Sequence, residues 1–188
     1  MQKNTSTLSR RKVTAGIAWS VPAVAAVAAA PFAAASPTAC VNVTSGAAVK
    51  YQGSGHRDGI KQGYGFTITV TNTSPTPVYV SPGEWTVAFD GQATRSGKDA
   101  RLYTAPPCEG GTRLADGDAE LRLQPGESKT YHYVLNETGN SGKETGCVYG
   151  KLELALPTGA PEGADLCNGG VVDFGNCFQT TPPSVKKC

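Results

Sequence analysis

Gly65-Phe66-Thr67-Ile68-Thr69-Val70-Thr71-Asn72-Thr73 alternates large apolar side chains with threonine, one for one. Side chains point to opposite faces at successive positions of a strand, so Tyr64, Phe66, Ile68 and Val70 line one face while Thr67, Thr69 and Thr71 line the other. Working outward, the same period of two returns in Val41, Val43, Ala47, Val49 and Tyr51, and in Trp85, Val87 and Phe89 ahead of an Asp90-Gly91 turn. It returns again in Ala119, Leu121 and Leu123, in Tyr131, Tyr133 and Leu135 after the Gln124-Pro125-Gly126-Glu127 turn, and in Val148, Leu152, Leu154 and Leu156. The intervening stretches, 52–63 and 137–146, are rich in Gly, Ser, Asn and Asp and read as loops. No stretch after residue 40 sustains a 3.6-residue period without Gly or Pro, so no helix is expected there.

About seven short strands, in one domain's length, imply an all-β fold: a two-sheet antiparallel β-sandwich of immunoglobulin-like type, preceded by a signal-peptide helix. The expected organisation is a signal peptide over 1–35, the sandwich over 36–156, and a Cys-pinned irregular extension over 157–188 with one strand around Val171 to Phe174.

The N-terminal segment carries the three zones of an export signal: a basic stretch ending Ser9-Arg10-Arg11-Lys12, an Ala/Val run, and small residues at Ala33-Ala34-Ala35 before Ser36. Cleavage is expected between Ala35 and Ser36. The adjacent Arg10 and Arg11 ahead of a weakly hydrophobic run resemble a twin-arginine signal, with the general secretory route as the alternative. Pro22 and Pro31 argue against a retained membrane helix, and Pro37-Thr38-Ala39-Cys40 lacks the aliphatic residue of a lipid-attachment signal, so a secreted product with no stable membrane anchor is expected.

Of the 17 basic residues, removal of 1–35 takes Lys3, Arg10, Arg11 and Lys12 and no acid, which leaves 13 against 15 acids and turns a formal charge of +2 into −2. Such a chain has no basic stripe for phosphates, so nucleic acid is not an expected partner. All six cysteines, Cys40, Cys108, Cys147, Cys167, Cys177 and Cys188, lie in the exported part and read as a disulfide framework. Six cysteines admit fifteen pairings. Short-loop closure favours Cys167 with Cys177, and the nearness of termini favours Cys40 with Cys188, which leaves Cys108 with Cys147. Cys147 has the parity of Tyr149, Lys151 and Glu153 and is expected to face outward. A structural zinc is disfavoured because no Cys-x-x-Cys pair occurs and His56 and His132 are remote in sequence from any cysteine cluster.

Gly65 to Thr73 and Leu123-Gln124-Pro125-Gly126-Glu127-Ser128 resemble the strand B and the turn before strand E of bacterial immunoglobulin-like modules in secreted surface proteins, over roughly 40–156. The run Ala-Gly-Ile-Ala-Trp-Ser-Val-Pro at 15–22 is similar to signal peptides of actinobacterial secreted proteins. The resemblance implies an extracellular binding or structural module and does not fix its function.

Catalytic readings are weak. Ser54, His56 and Asp58 crowd together in a Gly-rich loop but are not expected to converge, and His132 shares the parity of Thr130 on an outer face. Asp116, Asp118 and Glu120 alternate as calcium ligands do, without the remaining oxygen ligands of a calcium loop. The Thr67, Thr69, Thr71 ladder on one strand is not a binding array. No catalytic, cofactor or metal residue is assigned, and the chain is expected not to be an enzyme. The expected partner is a protein or polysaccharide at the cell surface. A carbohydrate-binding module is the alternative, and it needs exposed coplanar aromatics, whereas Trp85 has core parity and Tyr149 is an outward candidate.

Overall fold

A computed structural model describes residues 38–139 and 145–188. Arg10, Arg11, the Ala35–Ser36 junction and the expected signal-peptide helix lie outside these residues. Eleven strands follow in order: β1 (Thr38–Ala39), β2 (Val41–Tyr51), β3 (Gly63–Asn72), β4 (Val78–Phe89), β5 (Arg95–Gly97), β6 (Ala100–Tyr103), β7 (Arg122–Leu123), β8 (Ser128–Leu135), β9 (Gly146–Ala155), β10 (Asp165–Leu166) and β11 (Val171–Phe178). Short 3-10 turns are the helical elements among the described residues. Two antiparallel sheets form the sandwich. One runs β2-β3-β8-β6; the other runs β11-β9-β4-β5, with β7 also paired to β4.

Alternation places the core as expected. Tyr64, Phe66, Ile68 and Val70 of β3 and Tyr131, Tyr133 and Leu135 of β8 face Val80, Trp85, Val87 and Phe89 of β4 and Val148, Leu152 and Leu154 of β9. Each large side chain so buried contributes about 1.5–3 kcal/mol. Phe174 of β11 closes the layer edge-on to Tyr133, their ring centroids 4.9 Å apart. Gly150 makes that contact feasible, because a Cβ there would stand 2.6 Å from the Tyr133 ring.

Three stretches differ from the alternation as read. The strand expected across 119–123 is a 3-10 turn, Ala119–Leu121, followed by the two-residue β7; Leu121 and Leu123 stay buried all the same. The strand expected around Val171 to Phe174 within the irregular extension is β11, which runs eight residues, to Phe178, and pairs along its whole length with β9. In β2 the register with β3 shifts between Ser45 and Ala48. A bulge of one residue exchanges the two faces of a strand. Val41 and Val43 therefore pack on the main core, while Val49 and Tyr51, of the same parity, turn outward into a second cluster with Ile60, Tyr103 and Val134.

All six cysteines are bridged, but in none of the expected pairs: Cys40 bonds Cys167, Cys108 bonds Cys188, and Cys147 bonds Cys177. Sheet register explains the first and third. Cys147 and Cys177 are direct partners across β9 and β11, facing outward as expected, with Cα atoms 4.0 Å apart. β1 and β10 pair in parallel, Ala39 opposite Leu166, so Cys40 and Cys167 stand at the next position of the ladder. The favoured Cys167–Cys177 closure fails because β11 is extended, and six residues of strand span about 20 Å. Cys40–Cys188 fails because Cys40 precedes β2 whereas the C-terminal segment bridges Lys50 at that strand's far end. Cys108 packs outside the four-stranded sheet and Cys147 outside the other, so the sandwich itself separates them.

Candidate functional site

The outer face of β4, β9 and β11 is a functional candidate open to solvent. Register sets Thr86 beside Tyr149 and Tyr149 beside Gly175, with Lys151 and Asp173 as the next pair along. The β4 register shifts between Pro82 and Trp85, which brings Glu84 out to solvent while Trp85 stays in the core. Glu84, Thr86, Tyr149, Lys151 and Asp173 line a shallow cleft of about 310 Å³. It adjoins a second, of about 270 Å³, shared by Glu84, Lys98, Lys151 and Glu153.

Tyr149 is 43% exposed, the large hydrophobic residue most open to solvent among those described. Its ring lies over Gly175, where any Cβ would collide with it. Glycine on β11 thus lets the ring lie down on the sheet. Lys151 pairs with Asp173 at 3.9 Å and Lys98 with Glu84 at 3.6 Å. These exposed pairs are well solvated and contribute little to the fold, which leaves both signs of charge available to a ligand.

The residues singled out in the sequence fall elsewhere. Trp85 is buried, as its parity required. Asp116 lines a separate cleft with Tyr79, Leu121 and Leu156, and the Asp118 carboxylate accepts from the Ala115 N–H at 2.8 Å, closing its own turn. Among the described residues these acids do not gather at ligating distance. The Thr ladder spreads over neighbouring strands, Thr69 beside Thr130 at 3.2 Å and Thr71 beside Ser128 at 2.7 Å, and the hydroxyls bond one another.

His132 does project from the outer face of the four-stranded sheet, yet Tyr51 and the loops above cover it. Its Nε2 lies 2.9 Å from the Tyr51 hydroxyl. Burial pushes its pKa down to about 4. His56, read as part of a solvated loop, is buried as well; it stacks edge-on to Tyr51 and sets Nδ1 3.9 Å from Cys108 Sγ. Sequence reasoning missed this meeting because His56 and Cys108 are 52 residues apart. Asp99, also missed, accepts from Arg101 and Asn136, each at 2.7 Å. Its burial would raise the carboxyl pKa, and those hydrogen bonds outweigh that and hold it below the usual range.

Fold and face define a disulfide-bonded all-β sandwich with one open, polar sheet face. Three bridges are typical of extracellular proteins. No family model and no curated protein matches the chain. Among solved structures it is similar to the ApaA protein of Bordetella pertussis, with 14% identity, a TM-score of 0.41, and 78% of this chain and 97% of that one covered. It is also similar to AvmM, described as catalysing macrocyclization in alchivemycin A biosynthesis, with 16% identity, a TM-score of 0.34, and 80% and 93% covered. The expectation that the chain is not an enzyme does not stand: it rested only on missing sequence constellations, and a named catalyst is among the similar structures. At this level of similarity that likeness assigns no reaction to the present chain.

Proposed function

We propose that the chain is exported and acts outside the cell or at its surface as an immunoglobulin-like binding or structural module, engaging a protein partner through the outer face of β4, β9 and β11. The observation that carries this reading is the open Tyr149 ring, seated on Gly175 in a cleft with Glu84, Lys151 and Asp173, with Lys98 and Glu153 in the adjoining one. A rigid aromatic anchor within a rim of mixed charge is the composition of a protein-binding hot spot. The export signal ending at Ala35 and the disulfide framework support the compartment.

A second reading, polysaccharide binding, is favoured by the way Tyr149 lies flat, since sugar rings stack on such a face. The protein is tested for retention on cell-wall polysaccharides, cellulose, chitin and extracellular surface proteins. Tyr149→Ala is expected to weaken retention on a protein surface about 30-fold, the effect of losing a 2 kcal/mol anchor. Retention confined to a polysaccharide would establish the second reading, and retention indifferent to Tyr149→Ala would remove this face from both.

A further inference from the structure

We propose that His56, Cys108 and Cys188 form a cation site in the reduced protein, built for a borderline-soft ion such as Zn²⁺, and that the Cys108–Cys188 disulfide is the oxidised closure of the same site. The ligand atoms, His56 Nδ1 and the two Sγ, already lie within 4.8 Å of one another.

The histidine is prepared for this role. Its Nε2 lies 3.1 Å from the carbonyl oxygen of Gln52. A carbonyl only accepts, so Nε2 carries a proton, and in the neutral ring Nδ1 keeps its lone pair. That lone pair faces Cys108 Sγ at 3.9 Å from a buried ring, and a disulfide sulfur has no proton to offer it. In the oxidised protein a buried acceptor thus faces a group that cannot donate, an arrangement that costs stability. Once the bridge is reduced, the same lone pair is placed to bind a cation beside the two sulfurs. The Gln52 carbonyl is then the outer partner that metal-bound imidazoles ordinarily have on their second nitrogen.

Each ligand is held independently of the bridge. Cys108 sits in the Pro107–Glu109 turn, whose Pro107 is buried. The chain leading to Cys188 is fixed to β2 by Lys50 N–H donating to Pro183 O at 2.9 Å and Val185 N–H donating to Lys50 O at 2.8 Å, and Val185 packs on the second cluster. Opening the disulfide therefore leaves Cys188 beside its partners. A dithiol reductant delivers two electrons and two protons to the bridge and closes into its own disulfide; the two thiols then give their protons to solvent as they bond the ion. Two thiolates and one imidazole balance a divalent charge, match a borderline-soft cation and leave a fourth position open. The C-terminal segment is pinned over Tyr51 and Tyr103 in either state, by the ion where dithiols abound and by the disulfide outside.

The purified protein is reduced with a trialkylphosphine, freed of it and titrated with Co²⁺, whose bonds to thiolate give a charge-transfer band. One Co²⁺ per chain with that band, displaced by Zn²⁺ and absent from the unreduced protein, is expected. Cys108→Ser and Cys188→Ser should each abolish it, His56→Ala should weaken binding by more than about tenfold, and the double variants Cys40→Ser/Cys167→Ser and Cys147→Ser/Cys177→Ser should keep it. A folded reduced protein without the band, or a band that survives Cys108→Ser or ignores His56→Ala, overturns the proposal. Should reduction unfold the chain, Cys108→His/Cys188→His tests the geometry with the other bridges intact. Uptake of one Zn²⁺, lost on adding His56→Ala, supports the site, and no uptake overturns it.

Discussion

The Tyr51 hydroxyl and His132 Nε2 lie 2.9 Å apart beneath the covering loops of the four-stranded sheet, and His132 Nδ1 has no hydrogen-bond partner. Burial holds this imidazole neutral, its pKa lowered from 6.5 to about 4. An unfolded chain takes up the proton first as the pH falls. The contribution of His132 is therefore complete above pH 6.5 and is lost between 6.5 and about 4, at no more than about 1.4 kcal/mol per pH unit. Denaturant unfolding across that range should show the slope, and His132→Gln should flatten it; an unchanged slope would place the acid sensitivity elsewhere.

The three bridges should rank by the loops they close. Cys40–Cys167 spans 127 residues and Cys147–Cys177 spans 30. Chain-entropy arithmetic gives about 5 and about 3.6 kcal/mol respectively. Replacing each pair by serine and measuring unfolding should find the first variant the less stable. Non-reducing peptide mapping should recover Cys40–Cys167, Cys108–Cys188 and Cys147–Cys177.

Gly150→Ala should lower stability by about 1–3 kcal/mol, because the new Cβ overpacks the contact between Tyr133 and Phe174. Thermal unfolding measures it. Combining it with Phe174→Leu should recover part of the loss, since the smaller side chain gives Tyr133 room to move.

Asn136 is engaged through both ends of its amide: its Oδ1 accepts from the Lys61 N–H at 2.8 Å and its Nδ2 donates to Asp99 at 2.7 Å. Asn136→Ala should cost about 1–3 kcal/mol by leaving a backbone donor without its acceptor. It should also raise the Asp99 pKa toward the usual carboxylate range, which carbon-detected NMR titration reads. Because the folded-state pKa of Asp99 is depressed, its contribution is present above the ordinary carboxylate pKa and fades as the pH falls through the lowered value.

Alternation within each strand determined by itself that the chain is all-β, that Trp85 points inward, and that Cys147 and Tyr149 point outward. Side-chain direction along one strand is a local property, set by the pleat, so one strand's sequence suffices to read it. Pairing between distant segments is not local. The β2 bulge sends Tyr51 to the opposite side from Val43, the full length of β11 parts Cys167 from Cys177 and delivers Cys177 to Cys147, and the fixing of Pro183 and Val185 to Lys50 carries Cys188 to Cys108 and His56. Loop-closure entropy changes only slowly with loop length, about 0.6 kcal/mol for each doubling. That preference is small beside the packing and hydrogen bonding of an eight-residue strand, so sheet register and tertiary packing chose the cysteine partners and assembled the histidine–cysteine cluster.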